Sequence, residues 1–276
     1  MKLSHKITLF FTVLTITTIN SQEKLKGNKD VTTENRSISD FNKIDVIDNI
    51  DVFLTYNEIQ SVNVETDSNL QDAVITEVNN GTLVIKLSDK IVRKKELMVH
   101  IKVNRKLKEI NGYNNAKIMS KNSIAIDSLT INTFDNSDIN LKINSSIVKI
   151  NSKKSSNLKL EILSNTITIN AEENSNLKGT VDTKEAVLTL LDKASINLEG
   201  STAFFEIETL GNTSFKGKDF KSEKALVNAT NSSNTYINTA KAIDIRAKNS
   251  AEVYLYSNPK ITLTEFFDKA SLHKRD

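Results

Sequence analysis

The C-terminal half of the sequence repeats itself at a fixed short interval. Steps of 19 land on small residues at Ser137, Ser156, Ser175, Ala194, Thr213, Ser232, Ala251 and Ala270. A column two positions later is apolar at all but one place: Ile139, Leu158, Leu177, Ile196, Phe215, Asn234, Val253 and Leu272. A third column begins at Ile131, six positions before the small one, and is apolar until its last member, Thr264. A fixed short period is typical of a solenoid, in which identical units stack.

The small column predicts tight corners. Equivalent side chains of neighbouring coils lie about 4.8 Å apart, so a large inward residue at a corner would collide with its own copies. Asn or Ser precedes the small residue in most coils, at Asn136, Ser155, Asn174, Asn212, Asn231 and Ser250. Asparagine tolerates left-handed backbone angles, which explains how the corners turn in a chain with only 7 glycines. Stacked side chains of this column could also bond to one another along the solenoid axis.

The chain upstream of the coils predicts strands of a different kind. Between Phe41 and Val103 apolar and polar residues alternate, and turn residues interrupt the pattern. We expect residues 37–106 to form N-terminal strands that cap the regular coils of residues 107–276, with a two-residue insertion near 121–127 and an unbroken register after Leu129. The segment 69–78 fits a short helix or a closing loop. Pro259 and the charged run 273–276 are expected to protect the C-terminal edge.

The N-terminus is typical of a secretory signal peptide. Lys2 and Lys6 precede an apolar, threonine-rich stretch from Ile7 to Ile19, and small Ser21 follows. We predict cleavage after residue 21, a flexible lead over residues 22–36, and residence in the periplasm or at the cell surface, with the periplasm favoured. The absence of cysteine excludes disulfides and a lipid-acceptor cysteine. Removing the leader leaves 35 basic and 34 acidic residues, so charge gives no indication of nucleic-acid binding.

Residues 36–276 resemble the autotransporter adhesin "head GIN domain" family of Bacteroidetes, a domain of unknown function. The motifs that carry the resemblance are Phe41-x-x-Ile44, Val62-x-Val64-Glu65 followed by Asn69-Leu70, Asn80-Gly81-x-Leu83-x-Ile85, and the closing 256–260 and 270–271 segments. The corners depart from the glycine-rich family pattern, since this chain uses Asn, Ser and Lys. The resemblance implies an all-β, right-handed, single-stranded parallel β-helix and an adhesin label. It supplies no catalytic motif.

Few residues suggest chemistry. Glu173 and Asp192 are adjacent in one corner column and could bind a cation or form an acid/base pair, although a solvated corner is the more common meaning. His100 alternates outward without a neighbouring acid or ligand motif in the sequence. Tyr254 and Tyr256 alternate with apolar residues and should face solvent, where they could contact a sugar or a protein partner. Phe205 and Phe215 fall in inward columns and are expected in the core.

These features favour an exported, non-enzymatic β-helix with an adhesin-like binding role or a structural role at the cell envelope. Its partner would be an envelope glycan or a surface protein, and Tyr254 and Tyr256 are the candidate binding residues. We expect no cofactor, no metal and no catalytic residue. The alternative is a polysaccharide-active hydrolase or lyase, for which Glu173 and Asp192 are the first carboxylates to test. Self-association, end to end or side to side, is a third hypothesis.

Overall fold

The computed structural model describes residues 24–276, and the expected signal peptide lies outside these residues. The chain is a parallel β-solenoid of about 9 turns with about 19 residues per turn, and 71% of the described residues are in strands. The all-β solenoid expected from the repeat is therefore confirmed. No described helix is long and apolar enough to cross a membrane.

The N-terminal part combines parallel and antiparallel pairing. Its nine strands and one 3₁₀-helix (Ser68–Ala73) are β1 (Lys24–Lys26), β2 (Val31–Arg36), β3 (Lys43–Val46), β4 (Asp51–Tyr56), β5 (Ser61–Asp67), β6 (Val74–Asn79), β7 (Thr82–Leu87), β8 (Lys90–Arg93) and β9 (Leu97–Val103). β3 and β4 pair in parallel with the first regular coil, whereas β5 is antiparallel to both β2 and β9. The helix expected within residues 69–78 ends at Ala73, because Val74–Asn79 pairs as a hairpin with β7.

The regular coils are parallel throughout. Their strands are β10 (Glu109–Gly112), β11 (Lys117–Ser120), β12 (Ile124–Thr133), β13 (Asp138–Ser152), β14 (Asn157–Ala171), β15 (Asn176–Asp192), β16 (Ser195–Gly211), β17 (Ser214–Thr230), β18 (Asn234–Lys248), β19 (Glu252–Tyr256), β20 (Lys260–Phe266) and β21 (Ser271–Lys274). The two-residue insertion is confirmed by the strand pairing. Ile118 pairs with Ile139, 21 residues later, whereas Ile131 pairs with Ile150, 19 residues later. Alternate residues point inward into one apolar core, in which Phe205 and Phe215 are fully buried as expected.

The corners turn through left-handed residues, as the asparagine pattern predicts. Positive φ angles occur at Asn136 (62°), Ser155 (62°), Asn174 (63°) and Ser250 (63°). In the Thr213 coil the left-handed residue is Gly211 (φ 93°) rather than Asn212. Glycine adopts this angle without the steric cost of a Cβ atom, so Gly211 rather than Asn212 turns the corner in this coil.

The expectation of an unbroken register after Leu129 is wrong in two places. In the last coil, Leu263 rather than Thr264 pairs with Ile245. The larger departure lies in β17. An extra residue between Lys216 and Phe220 forms a bulge, which makes that coil one residue longer than its neighbours, and the next coil is correspondingly shorter. Ser233, rather than Ser232, is therefore the buried small residue, and Ser232 is an exposed left-handed corner residue. Buried Thr235 likewise takes the inward place that an uninterrupted repeat gives to Asn234.

The segment expected as a flexible lead is instead structured over most of its length. β2 pairs along its whole length with β5 and covers the N-terminal end of the core. The Arg36 guanidinium donates to the backbone carbonyl of Gln71 (2.7 Å) and to its side-chain oxygen (2.9 Å). The Asp67 carboxylate, which is buried, accepts backbone N–H bonds from Lys29 and from Lys95 (2.7 Å for Lys95). These polar contacts have no periodic signature in the sequence.

An asparagine ladder runs along the axis, but mainly in a different column from the one expected. Asn132 donates to Asn111 (2.7 Å), Asn151 to Asn132 (2.7 Å) and Asn170 to Asn151 (2.9 Å), while Asn111 donates to the Asp45 carboxylate (2.6 Å). At the corners of the described coils, the one pair of bonded amides is Asn249, which precedes Ser250, donating to Asn231 (2.9 Å). Amide ladders of this type stabilise stacked parallel strands and their register.

Candidate functional site

One outward column crosses the whole solenoid. Strand pairing aligns its eleven residues, which we call the long column: His100, Phe53, Met119, Asn140, Lys159, Lys178, Asn197, Lys216, Tyr236, Tyr254 and His273. With one residue per coil at about 4.8 Å, the column is roughly 48 Å long. Its two ends are aromatic and its middle is basic and amidic.

The C-terminal end of the long column is a stack of three rings. Tyr254 lies 4.3 Å from Tyr236 with an interplanar angle of 7°, and 4.8 Å from His273 with an angle of 18°. The Arg275 guanidinium lies 5.0 Å from the centroid of the Tyr254 ring. Because Tyr236 and His273 lie on either side of Tyr254, a ligand reaches the edge of that ring rather than its faces. Tyr254, one of the two tyrosines predicted from the sequence, is thus the centre of a stack.

The Tyr254 hydroxyl donates to the Glu252 carboxylate two residues earlier on β19. This hydrogen bond, together with burial and the charge of Glu252, raises the pKa of Tyr254 to about 12. The phenol therefore remains a neutral donor throughout the physiological pH range. Tyr256 lies beside the stack and is half-buried, with the Lys218 ammonium 5.4 Å from its ring centroid.

The N-terminal end repeats this arrangement with other residues. His100 stacks on Phe53 at 5.5 Å, and the Lys121 ammonium lies 5.4 Å from the centroid of the Phe53 ring. His100 Nε2 lies 2.8 Å from the Glu65 carboxylate. The sequence shows no acid near His100 because Glu65 arrives from β5, the antiparallel neighbour of β9. His100 therefore contacts a carboxylate and is not an isolated histidine.

The middle of the long column lies in a surface groove of about 580 Å³. Lys159, Lys178 and Asn197 line it, together with Asp138, Asn157, Leu158, Leu160, Glu161, Asn176, Gly179, Thr180 and Glu199. Lys159, Lys178 and Lys216 are exposed, and none of them forms an ion pair within residues 24–276. Three ammonium groups on one outward line can therefore bind acidic groups of a ligand. Sequence reasoning missed this row, although Lys178 stands one repeat after Lys159 and Lys216 two repeats after Lys178, which was a signal for it.

Glu173 and Asp192 lie at successive corners, where both adopt left-handed angles (φ 52° and 62°). No hydrogen bond or ion pair joins their side chains in the described part of the chain. A neighbouring pair, Lys153 and Glu172, forms a 2.9 Å salt bridge across the same corner. Residues 24–276 contain no group of three or more His, Cys, Asp or Glu side chains that could hold a metal ion.

Comparisons with known proteins agree with this architecture. A crystal structure of a putative lipid-binding protein from Parabacteroides distasonis superposes with a TM-score of 0.68 at 18% identity, covering 92% of this chain and 100% of that one. A putative adhesin from Parabacteroides merdae superposes with a TM-score of 0.64 at 17% identity, covering 92% of this chain and 99% of that one. A putative adhesin from P. distasonis superposes with a TM-score of 0.65 at 15% identity, covering 92% of this chain and 100% of that one. At such identities the likeness concerns the fold. A comparison with curated proteins found no match.

The family comparison is more specific than the structural ones. The profile described as "Putative auto-transporter adhesin, head GIN domain" matches residues 40–161 and again residues 146–259. The two matches together span most of the chain and agree with the repeated coils. The family and the similar structures carry the names of adhesins and of a lipid-binding protein rather than of enzymes. The chain belongs to the auto-transporter adhesin head GIN domain family.

Proposed function

We propose that the protein is exported through a cleaved signal peptide and acts at the cell envelope as a non-enzymatic binding module for an extended acidic glycan. The observation that carries this proposal is the long column. A linear polymer can lie along eleven stacked positions, whereas a small molecule would contact only a few of them. Adhesin-like family membership agrees with such a role.

The row of lysines in the column favours an acidic polymer, and of the three acids that line the same groove, Glu161 is already paired with Lys142. Lys159, Lys178 and Lys216 are exposed and free of intramolecular ion pairs in the described chain, so each can bind a carboxylate, sulfate or phosphate of a ligand. Each such contact is individually weak at the surface, and several along one chain act together. The coil spacing of about 4.8 Å is close to the length of one sugar residue, so successive lysines can engage successive parts of the polymer.

The tyrosine end supplies contacts that do not depend on charge. Tyr254 and Tyr236 present ring edges, and Tyr256 presents a half-exposed ring beside them. Aromatic side chains with a polar tip are suited to partners that are part apolar and part wet, which describes sugars. Tyr254 and Tyr256 are therefore the binding residues we propose at this end of the column.

The test is a binding array of acidic polysaccharides, neutral polysaccharides, surface-protein fractions and lipid vesicles, using residues 22–276 and recording both retained protein and released product. We expect retention on acidic polysaccharides, loss of retention at high salt, and no product. Lys178→Glu should weaken binding several-fold. Lys149→Glu is the matched control, because Lys149 is also exposed, on the outward face of the coil's other side.

Tyr256→Ala should also weaken binding, and its control is Tyr113→Ala, which disrupts a different aromatic stack, on Phe134 at 5.3 Å. Equal effects of Lys178→Glu and Lys149→Glu would contradict the proposed site. Product release would instead support the hydrolase or lyase alternative, with Glu173 and Asp192 as the first substitutions. Retention on vesicles alone would favour a lipid ligand, as the name of one structural neighbour suggests for that protein.

A further inference from the structure

The two ends of the solenoid are finished differently. At the N-terminal end, β2 and the 3₁₀-helix cover the core, and Val62, Val64 and Leu70 are fully buried. At the C-terminal end, β20 pairs only with β18, and β21 pairs only with β19. Each of these last strands therefore has one edge without a strand partner within residues 24–276, and so do β2 and β6 at the N-terminal end, so the two ends differ in the side chains beside the edge. Such an edge presents unbonded backbone N–H and C=O groups to its surroundings.

The last coil also exposes side chains that belong to the core by register. Ile261 is aligned with buried Ile243, and Leu263 with buried Ile245, yet they are 43% and 48% exposed. Phe267, on the following turn, is 48% exposed. Within residues 24–276 no coil lies over these side chains, and the charged run 273–276, expected as edge protection, leaves them open. An apolar patch bordered by a free strand edge is a typical protein interaction surface.

We propose that two copies of this chain associate through their C-terminal coils, end to end, about a twofold axis. A twofold contact is self-complementary, so each copy covers the exposed apolar residues of the other and the contact closes at a dimer. The edge strand at the N-terminal end, β2, presents mainly polar residues (Val31–Arg36) in place of such an apolar surface, which disfavours a head-to-tail filament. This inference does not rest on the proposed glycan site, whose long column runs along the side of the solenoid and reaches the last coil only at His273.

The charges of the last coil favour a second copy as the occupant. Residues 260–276 contain the bases Lys260, Lys269, Lys274 and Arg275 and the acids Glu265, Asp268 and Asp276. Two copies of this surface can therefore meet without a large excess of positive or negative charge at the contact. Lys260 and Glu265 lie near opposite ends of β20, and a twofold axis crossing that strand makes the two copies antiparallel. Opposite charges then approach each other at both ends of the pair.

The test is the mass of residues 22–276 in solution, measured by sedimentation equilibrium over a wide range of protein concentrations. We expect a dimer that Leu263→Glu converts to a monomer. Leu163→Glu is the matched control, because Leu163 is 56% exposed on β14, away from either end. Circular dichroism and the thermal midpoint of each variant show that the fold is intact. Asn35→Glu, on exposed β2 at the other end, should leave the dimer unchanged.

A monomeric wild-type chain at every concentration would overturn the proposal. A dimer that survives Leu263→Glu, or that is lost equally in Leu163→Glu, would place the contact elsewhere and overturn it as well. Loss of the dimer in Asn35→Glu would show a head-to-tail contact in place of the twofold one. If a well-folded Leu263→Glu cannot be obtained, Ile261→Lys provides the same comparison at the neighbouring inward position.

Discussion

Placing leucine at Ser233 and at Ser232 should have very different effects on stability. An uninterrupted repeat assigns the corner to Ser232, whereas the bulge between Lys216 and Phe220 shifts the buried position to Ser233. The Ser233 side chain lies in the small column between Thr213 and Ala251, and all three residues are at most 1% exposed. Ser233→Leu forces extra carbon atoms into this column. Ser232→Leu adds the same atoms at an exposed corner.

The magnitude follows from packing. Overfilling a tight core position costs about 1–3 kcal/mol, and the fixed distance between coils leaves little room for relaxation, so we expect about 3 kcal/mol for Ser233→Leu. For a chain of this length that lowers Tm by roughly 6–10 °C. Ser232→Leu should cost less than about 1 kcal/mol, since surface changes are usually small. Ser233→Ala should be neutral or stabilising, because the buried Ser233 hydroxyl has no hydrogen-bond partner among residues 24–276.

Thermal unfolding followed by circular dichroism, together with urea denaturation, measures these differences directly. The expected order of Tm is Ser233→Ala at or above wild type, Ser232→Leu slightly below it, and Ser233→Leu clearly lowest. Equal losses for the two leucine variants, or a larger loss for Ser232→Leu, would refute the reasoning about register and about the small column.

Three further changes probe the backbone, the amide ladder and the N-terminal cap. Gly200→Ala should lower the free energy of unfolding by about 2 kcal/mol in urea, because φ is +110° and a Cβ would lie 2.3 Å from the Val181 carbonyl oxygen. Asn151→Leu removes two hydrogen bonds of the asparagine ladder and should lower the free energy of unfolding in urea by about 2 kcal/mol. Asn170→Leu removes one of these bonds and should lower it by less. Equal losses would show that the ladder does not stabilise the fold. Burial opposes ionisation of Asp67, but backbone N–H bonds from Lys95, Lys29 and Glu96 outweigh it and hold its pKa below 3.8. The ionised form of Asp67 therefore stabilises the fold above about pH 4, and this contribution disappears as the pH falls through the lowered pKa. The free energies of unfolding of wild type and Asp67→Asn should converge in acid. A difference that stays constant with pH would contradict this.

The repeat in the sequence was sufficient to predict the solenoid and most of its corners. Inward positions of stacked coils must carry compatible side chains once per coil, so the apolar and small columns are visible without a structure. The failure at Ser232 has a simple physical reason. The bulge in β17 adds one residue to its coil, and the next coil is one residue shorter. The small column therefore returns to the 19-residue spacing after these two coils, so the repeat in the sequence gives no sign of the bulge.

The candidate site could be predicted only in part. Tyr254 was identified from its alternation on β19, but its stacking required aligning it with Tyr236 and His273, which lie in the coils before and after it. The pairing of His100 with Glu65 joins two antiparallel strands, and the contacts of Arg36 with Gln71 join β2 to the 3₁₀-helix; both lie outside the repeat. No spacing rule connects such residues, so their contacts are apparent only once the N-terminal part has folded over the first coil.

Hydrogen–deuterium exchange of residues 22–276, with and without the acidic polysaccharide that retains it, tests the central claim most directly. The account predicts that the ligand protects peptides containing Lys178, Lys216 and Tyr254, which share one outward face. Peptides around Lys149, on the other side of the coil, should exchange as before. Protection confined to the Lys149 side, or confined to the corners of Glu173 and Asp192, would contradict binding along the long column.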